Sequence, residues 1–269
     1  MADTKKKVTH TITEVNQASG SKEELLAKTK KNATPYRIGA VVFWLLAIGA
    51  EVMAILFFAK KIPWEFAEET PGYWIAVIGA LVLDLIFLII GSSLWKKANH
   101  LDPASKKNEF KFWLQNNLGV IVAAFAFIPF VILALTDKNA DKKSKTIATI
   151  VAVVALAIGG LTSYDWNPVS QEEMLQNAGI EEVYWTAGGG VFHLTSECSH
   201  LNNSEELFKG TATAAIEAGK TRVCKTCERR AEELAELEDA GAKELENEEQ
   251  LEEEIEEADP TEDTEEASN

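Results

Sequence analysis

IGAVVFWLLAIGAEVMAILFFA, residues 38–59, is a 22-residue run with one charged side chain, Glu51. About 20 apolar residues in a helix span a hydrocarbon core of about 30 Å. In lipid the backbone must satisfy its own hydrogen bonds, so such a run is predicted to be helical. Three more runs follow, at Tyr73–Trp95, about Trp113–Leu135 and about Thr146–Ser163. A buried soluble core is the competing reading, and four such runs joined by polar connections argue against it. Tyr36, Trp44, Trp64, Tyr73, Trp74, Trp95 and Trp113 mostly sit near the ends of the runs, as an interfacial belt does. Pro129 predicts a kink in the third helix.

The connections set an orientation. Residues 1–37 form a polar arm with eight Lys and Arg, and the 96–112 loop adds five lysines, which makes 13 on one side. Loops 60–72 and 136–145 carry 2 and 4, which makes 6 on the other. The excess places both termini in the cytoplasm of a multi-pass cell-membrane protein. No cleavable signal peptide is expected, because the polar, Lys-rich start precedes a run too long for a signal segment. The arm reads as mobile, with one short helix from about Ser21 to Lys31 capped by Ser21 with Glu24 three residues on.

Charge is segregated along the chain. The net charge is −16, yet residues 228–269 alone carry 20 Asp and Glu against 3 Lys and Arg. Everything before them sums to about +1, so the low isoelectric point describes a tail. Sparse leucines at 234, 237, 245 and 251 predict a helical start fraying into disorder from about Glu244. Residues 164–182 read as a linker in which Ser170 caps a short helix.

Between linker and tail, at 183–230, lies a small α+β module holding every cysteine of the chain: Cys198, Cys224 and Cys227. Three cysteines cannot all pair within one chain, and their spacing suits a metal. CKTC offers two thiolates from one tight turn, and Cys198 offers a third. His193, five residues before Cys198, completes a Cys₃His set that closes a tetrahedral Zn²⁺ site, with His200 as the alternative ligand. Four protein ligands leave no open position for a reacting water, so the site reads as a structural staple. Lys220, Arg222, Lys225, Arg229 and Arg230 are expected to offset the charge of the bound thiolates. VYWTAGGGVFHL predicts a hairpin around Gly188-Gly189-Gly190, and TATAAIEAG a short helix closed by Gly219.

The order of these features, VYWTAGGGVFHLTSECSHL, then GT, then AIEAGKTRVCKTC, resembles the small bacterial zinc-binding β-ribbon modules, including the metal-binding region of Ada-type alkylation-repair proteins. The likeness covers about 183–230. It implies His193, Cys198, Cys224 and Cys227 as ligands. It does not extend to methyl transfer, since this chain has no fourth cysteine and no methyltransferase domain. The remainder resembles four-helix bacterial membrane proteins to which no activity attaches.

A second candidate site lies inside the apolar runs. Glu51 and Asp84 are about 12 and 16 Å from the outer ends of their helices. Neighbouring antiparallel helices can bring them together as a proton or ion site, or as polar glue within a bundle. No Walker motif, Ser/His/Asp constellation or His-Glu-x-x-His pattern occurs, so no enzymatic activity is expected. The acidic tail works against nucleic-acid binding. The expectation is a membrane protein presenting a zinc module for partner recognition or metal sensing, with a small transporter or channel built on Glu51 and Asp84 as the alternative.

Overall fold

The computed structural model of the chain describes residues 10–15, 20–62, 71–138 and 140–258. Lys5, Lys6, Lys7, Trp64 and residues 259–269 lie outside them. The four apolar runs fall within α1 (Lys22–Phe58), α2 (Pro71–Leu101), α3 (Glu109–Thr136) and α4 (Lys142–Ser163). All four helices are long and apolar enough to cross a membrane.

Small residues let these helices approach. On α1, Ala33, Ala40, Ala47 and Ala54 recur every seven residues, each 0% exposed. Trp44, Glu51 and Phe58 fall between them at the same period, so α1 presents an unbroken seam of the kind that supercoiled helices share. Gly91 on α2 accommodates Trp44, since a Cβ there would stand 2.6 Å from Trp44 Cδ1. Ala123, Ala126, Phe127 and Phe130 of α3 and Ala148, Ala152 and Ala155 of α4 complete the core. Polar groups tie one end of the bundle together. Trp95 Nε1 and Asn99 Nδ2 both donate to Gln115 O at 2.8 Å, and Arg37 Nη1 pairs with Asp102 at 2.7 Å.

The arm departs from expectation. Its short helix does not stop near Lys31: with Ser21 capping as expected, α1 runs on through Pro35 to Phe58. Pro35 is exposed, so the carbonyl left without a donor by its ring can meet solvent. Nor is the arm free. Residues Thr11–Val15 form β1, which pairs in parallel with β4 (Glu206–Gly210), Thr11 opposite Glu206 and Val15 opposite Gly210. β2 (Val183–Trp185) pairs antiparallel with the other side of β4, giving a three-stranded sheet in the order β1-β4-β2. β3 (Val191–Phe192) and β5 (Arg222–Val223) form a second, parallel pair.

The residues expected to be a linker join this module. α5 (Gln171–Asn177), capped by Ser170, buries Met174 in one core with Val183, Trp185, Phe192 and Ile216 of the module and Leu25 of α1. α6 (Ala212–Glu217) closes at Gly219, whose φ of +83° requires a residue without a side chain. The module is therefore seated on the helix ends that carry the N-terminus. Lys28 of α1 pairs with Glu217 at 2.5 Å, His100 of α2 with Asp165 at 2.7 Å, and Gln171 N donates to Ala104 O at 3.1 Å. Glu172 accepts from the Ser105 hydroxyl and the Lys106 amide, which hold its carboxyl well below the usual range, at about 2.

The acidic segment is one helix, α7 (Lys225–Ala258), which continues past the fraying point expected near Glu244. The Cys-rich knuckle starts it, and its Glu, Ala, Leu and Lys residues favour helix. Pairs one turn apart, Arg229–Glu233 at 3.7 Å and Lys243–Asp239 at 2.7 Å, offset part of the repulsion.

Candidate metal centre

Backbone pairing places each ligand-bearing residue. His193 follows β3 and forms an antiparallel bridge with Tyr184, donating to Tyr184 O at 2.7 Å and accepting from Tyr184 N at 2.8 Å. Cys224 follows β5, and its N–H donates to Phe192 O at 2.8 Å, so the knuckle is stitched to the strand that ends at His193. Cys227 lies in the first turn of α7, where Glu228 N donates to Cys224 O at 2.9 Å. Cys198 precedes the single turn of tight helix at Ser199–Leu201.

The four side chains converge. One donor atom from each of His193, Cys198, Cys224 and Cys227 lies within 4.8 Å of all the others, and all four residues are buried. Cys198 Sγ is 4.0 Å from Cys224 Sγ, and Cys227 Sγ is 3.8 Å from His193 Nδ1. A tetrahedron with Zn–S bonds of about 2.3 Å has edges of about 3.8 Å, so this group of atoms has the size that a tetrahedral ion needs. Leu201, Leu207, Val191 and Val223 pack around it and keep water out.

The electrostatics suit a cation. Burial pushes the Cys198 thiol up to about 11. Burial acts upward on Cys224 too, but the N–H groups of Cys227 and Thr226 at the start of α7, together with hydrogen bonds to the Cys198 and Cys227 thiols, outweigh it, and that thiol is lowered. Burial, and then the nearby His200, holds His193 below its usual value, which leaves its imidazole neutral with a lone pair to donate. His200 is not part of the group: it is exposed, and its Nε2 stands 3.1 Å from Thr226 Oγ1.

The basic residues expected to balance the thiolates are mostly engaged elsewhere. Lys220 is buried, and its ammonium donates to the carbonyls of Ala187, Gly188 and Gly189 at 3.0, 2.9 and 2.8 Å. Lys225 donates to Asn167, and Arg229 pairs with Glu233 along α7. The glycine turn is thus wrapped around a lysine, a role that the sequence pattern alone does not reveal. It depends on the left-handed conformation of Gly189, φ +72°.

The second candidate pair also meets. Glu51 is 3% exposed and Asp84 0% exposed, and their carboxyl groups lie within reach of each other in the bundle core. Phe130 N–H, immediately after Pro129, donates to Glu51 Oε1 at 3.2 Å. Fold and site together define an apolar four-helix bundle carrying a small module with a Cys₃His group. No protein-family model, curated protein or solved structure matches the chain.

Proposed function

We propose that this chain is a four-span membrane protein whose Cys₃His module binds Zn²⁺ as a staple and presents a recognition surface at one membrane face. The observation that carries this reading is the convergence of four buried donor atoms within 4.8 Å. Three thiolates and an imidazole are a soft, tetrahedral donor set, which favours zinc over harder cations. With all four positions taken by protein the role is structural, and no enzymatic step is assigned to it. The order of its motifs remains like that of the Ada-type ribbon modules, without their methyl-accepting chemistry.

The membrane reading rests on the outer surface of the bundle. Ile75 is 71% and Phe125 72% exposed, and Leu45, Ile132, Leu135, Ile150 and Leu161 face outward with them. An apolar belt of this extent is far larger than a water-facing surface tolerates. The charge excess of 13 Lys and Arg against 6 points the module and both termini to the cytoplasmic side. The strongly acidic α7 directs the recognition surface toward proteins and away from nucleic acid.

Metal analysis of the purified full chain tests the staple. It should contain one equivalent of zinc, and Cys224→Ser should lose it. Less than about half an equivalent in the wild type, or full retention in the variant, overturns the reading. A reporter fused after Asn269 should be active only in the cytoplasm, and an external signal overturns the orientation.

A further inference from the structure

Three carboxyl oxygens are left without a partner inside the bundle: Glu51 Oε2, Asp84 Oδ1 and Asp84 Oδ2. The fourth oxygen of the pair, Glu51 Oε1, is held by the Phe130 amide at 3.2 Å. Ala54 and Leu81, one turn from Glu51 and Asp84, and Phe130, which donates to Glu51, are fully buried in the apolar bundle core. Among the described residues, no basic side chain acts on the pair. The nearest charged residues along the chain are Arg37 and Lys60 on the side of α1, Lys96 at the end of α2, Lys111 and Asp137 around α3, and Lys145 and Asp165 around α4. Lys60 is nine residues from Glu51 and Lys96 twelve from Asp84, so each is more than about 13 Å away along its helix.

Two ionised carboxylates offer acceptors only, and in a dry core each raises the cost of the other. One positive charge between them removes both difficulties. A proton turns one carboxyl into a donor to its neighbour, and a Na⁺ takes the orphaned oxygens as ligands. Three oxygens on two side chains fall short of the six to eight that Ca²⁺ takes and provide no octahedron for Mg²⁺. One monovalent cation is the least that relieves the pair.

We infer that Glu51 and Asp84 form an intramembrane site for one monovalent cation, a proton or Na⁺. This rests on the membrane reading above. The Phe130 amide, one residue after Pro129 in α3, holds Glu51 Oε1 at 3.2 Å, and Glu51 Oε2 has no hydrogen-bond partner. The site thereby joins α1, α2 and α3.

The test uses the zinc-loaded full chain in phosphatidylcholine nanodiscs. Infrared difference spectra are recorded at neutral pH in choline chloride, where ordinary carboxyls with values near about 4 are ionised. Sodium is then introduced at constant ionic strength. One protonated-carboxyl band that is lost or shifted in Asp84→Asn, and that Na⁺ leaves unchanged, supports a proton as occupant. A band bleached by Na⁺, with melting raised by Na⁺ and not by choline, supports Na⁺. A wild type with neither a band nor a Na⁺-specific melting shift overturns the proposal. So do two bands indifferent to Na⁺ and to pH. Glu51→Gln keeps an acceptor for the Phe130 amide, so it separates the tie to α3 from the cation. It should fold and shift the wild-type band or lose the Na⁺ response, and a band and Na⁺ response both unchanged from the wild type overturn the proposal. Failure of the membrane reading registers independently, as release of the chain from membranes by alkaline washing.

Discussion

The ammonium of Lys220 has three hydrogens and three carbonyls to receive them, at Ala187, Gly188 and Gly189. Burial, and then the charge of Lys97, holds its pKa below the usual lysine value, so the contact keeps a charge where solvent would hold it more easily. Its return is a fixed turn between β2 and β3, the strand that delivers His193. Lys220→Met keeps the apolar stem and removes the donors. The module should lose roughly 1–3 kcal/mol against denaturant with zinc still bound, read from its tryptophan signal. Full stability in the variant would show the turn to be held by other contacts. The ligands themselves were legible as residue types, because thiolates and imidazole at knuckle spacing have few other uses. The choice of His193 over His200 is a matter of pairing: the bridge to Tyr184 turns one inward and leaves the other beside Thr226. Lys220 was not legible, since nothing in the spacing says that one glycine conformation will point three carbonyls at one place.

At the scale of elements, the four long helices follow directly from their hydropathy, and the seven-residue alanine period of α1 shows which face turns inward. β1, like β4 and β5, is an element that sequence reasoning does not find. TITEV is short, lies among Lys and Thr residues, and alternates too briefly to announce a strand. Its partner, β4, comes after all four long helices in the chain. Gly210 is the residue that admits it: a Cβ there would lie 2.6 Å from Val15 O and 3.2 Å from Trp185. Gly210→Ala should therefore push β1 off β4. Hydrogen exchange should speed up at 11–15 and in the β4 amides that face it, while zinc content stays at the wild-type level. Unchanged protection would mean that the sheet absorbs the methyl group. With β1 displaced, β4 becomes an open edge of the kind that accepts an incoming strand, which connects this contact to the proposed recognition role.

On the scale of the whole molecule there are two kinds of core. The bundle core is built from alanine, phenylalanine and leucine, and the module core is divided between an apolar cluster and the cysteine cluster. The proposed Zn²⁺ would be held in the second, whereas the first encloses the Glu51–Asp84 pair. Chelation of the purified chain should abolish a low-temperature unfolding step and leave the helical signal of the bundle in place. A single transition, shifted as a whole by the chelator, would show the two cores to be one cooperative unit. The parallel pairing of Thr11–Val15 with Glu206–Gly210 has one further consequence, for the birth of the protein. At about 5–20 residues per second, the ribosome takes on the order of ten to forty seconds to reach β4 after β1 has emerged. All four helices are made in that interval. β1 therefore waits unpaired while the four helices are made, and a chain cut short before residue 206 never seats it. The pairing marks a chain made at least as far as β4.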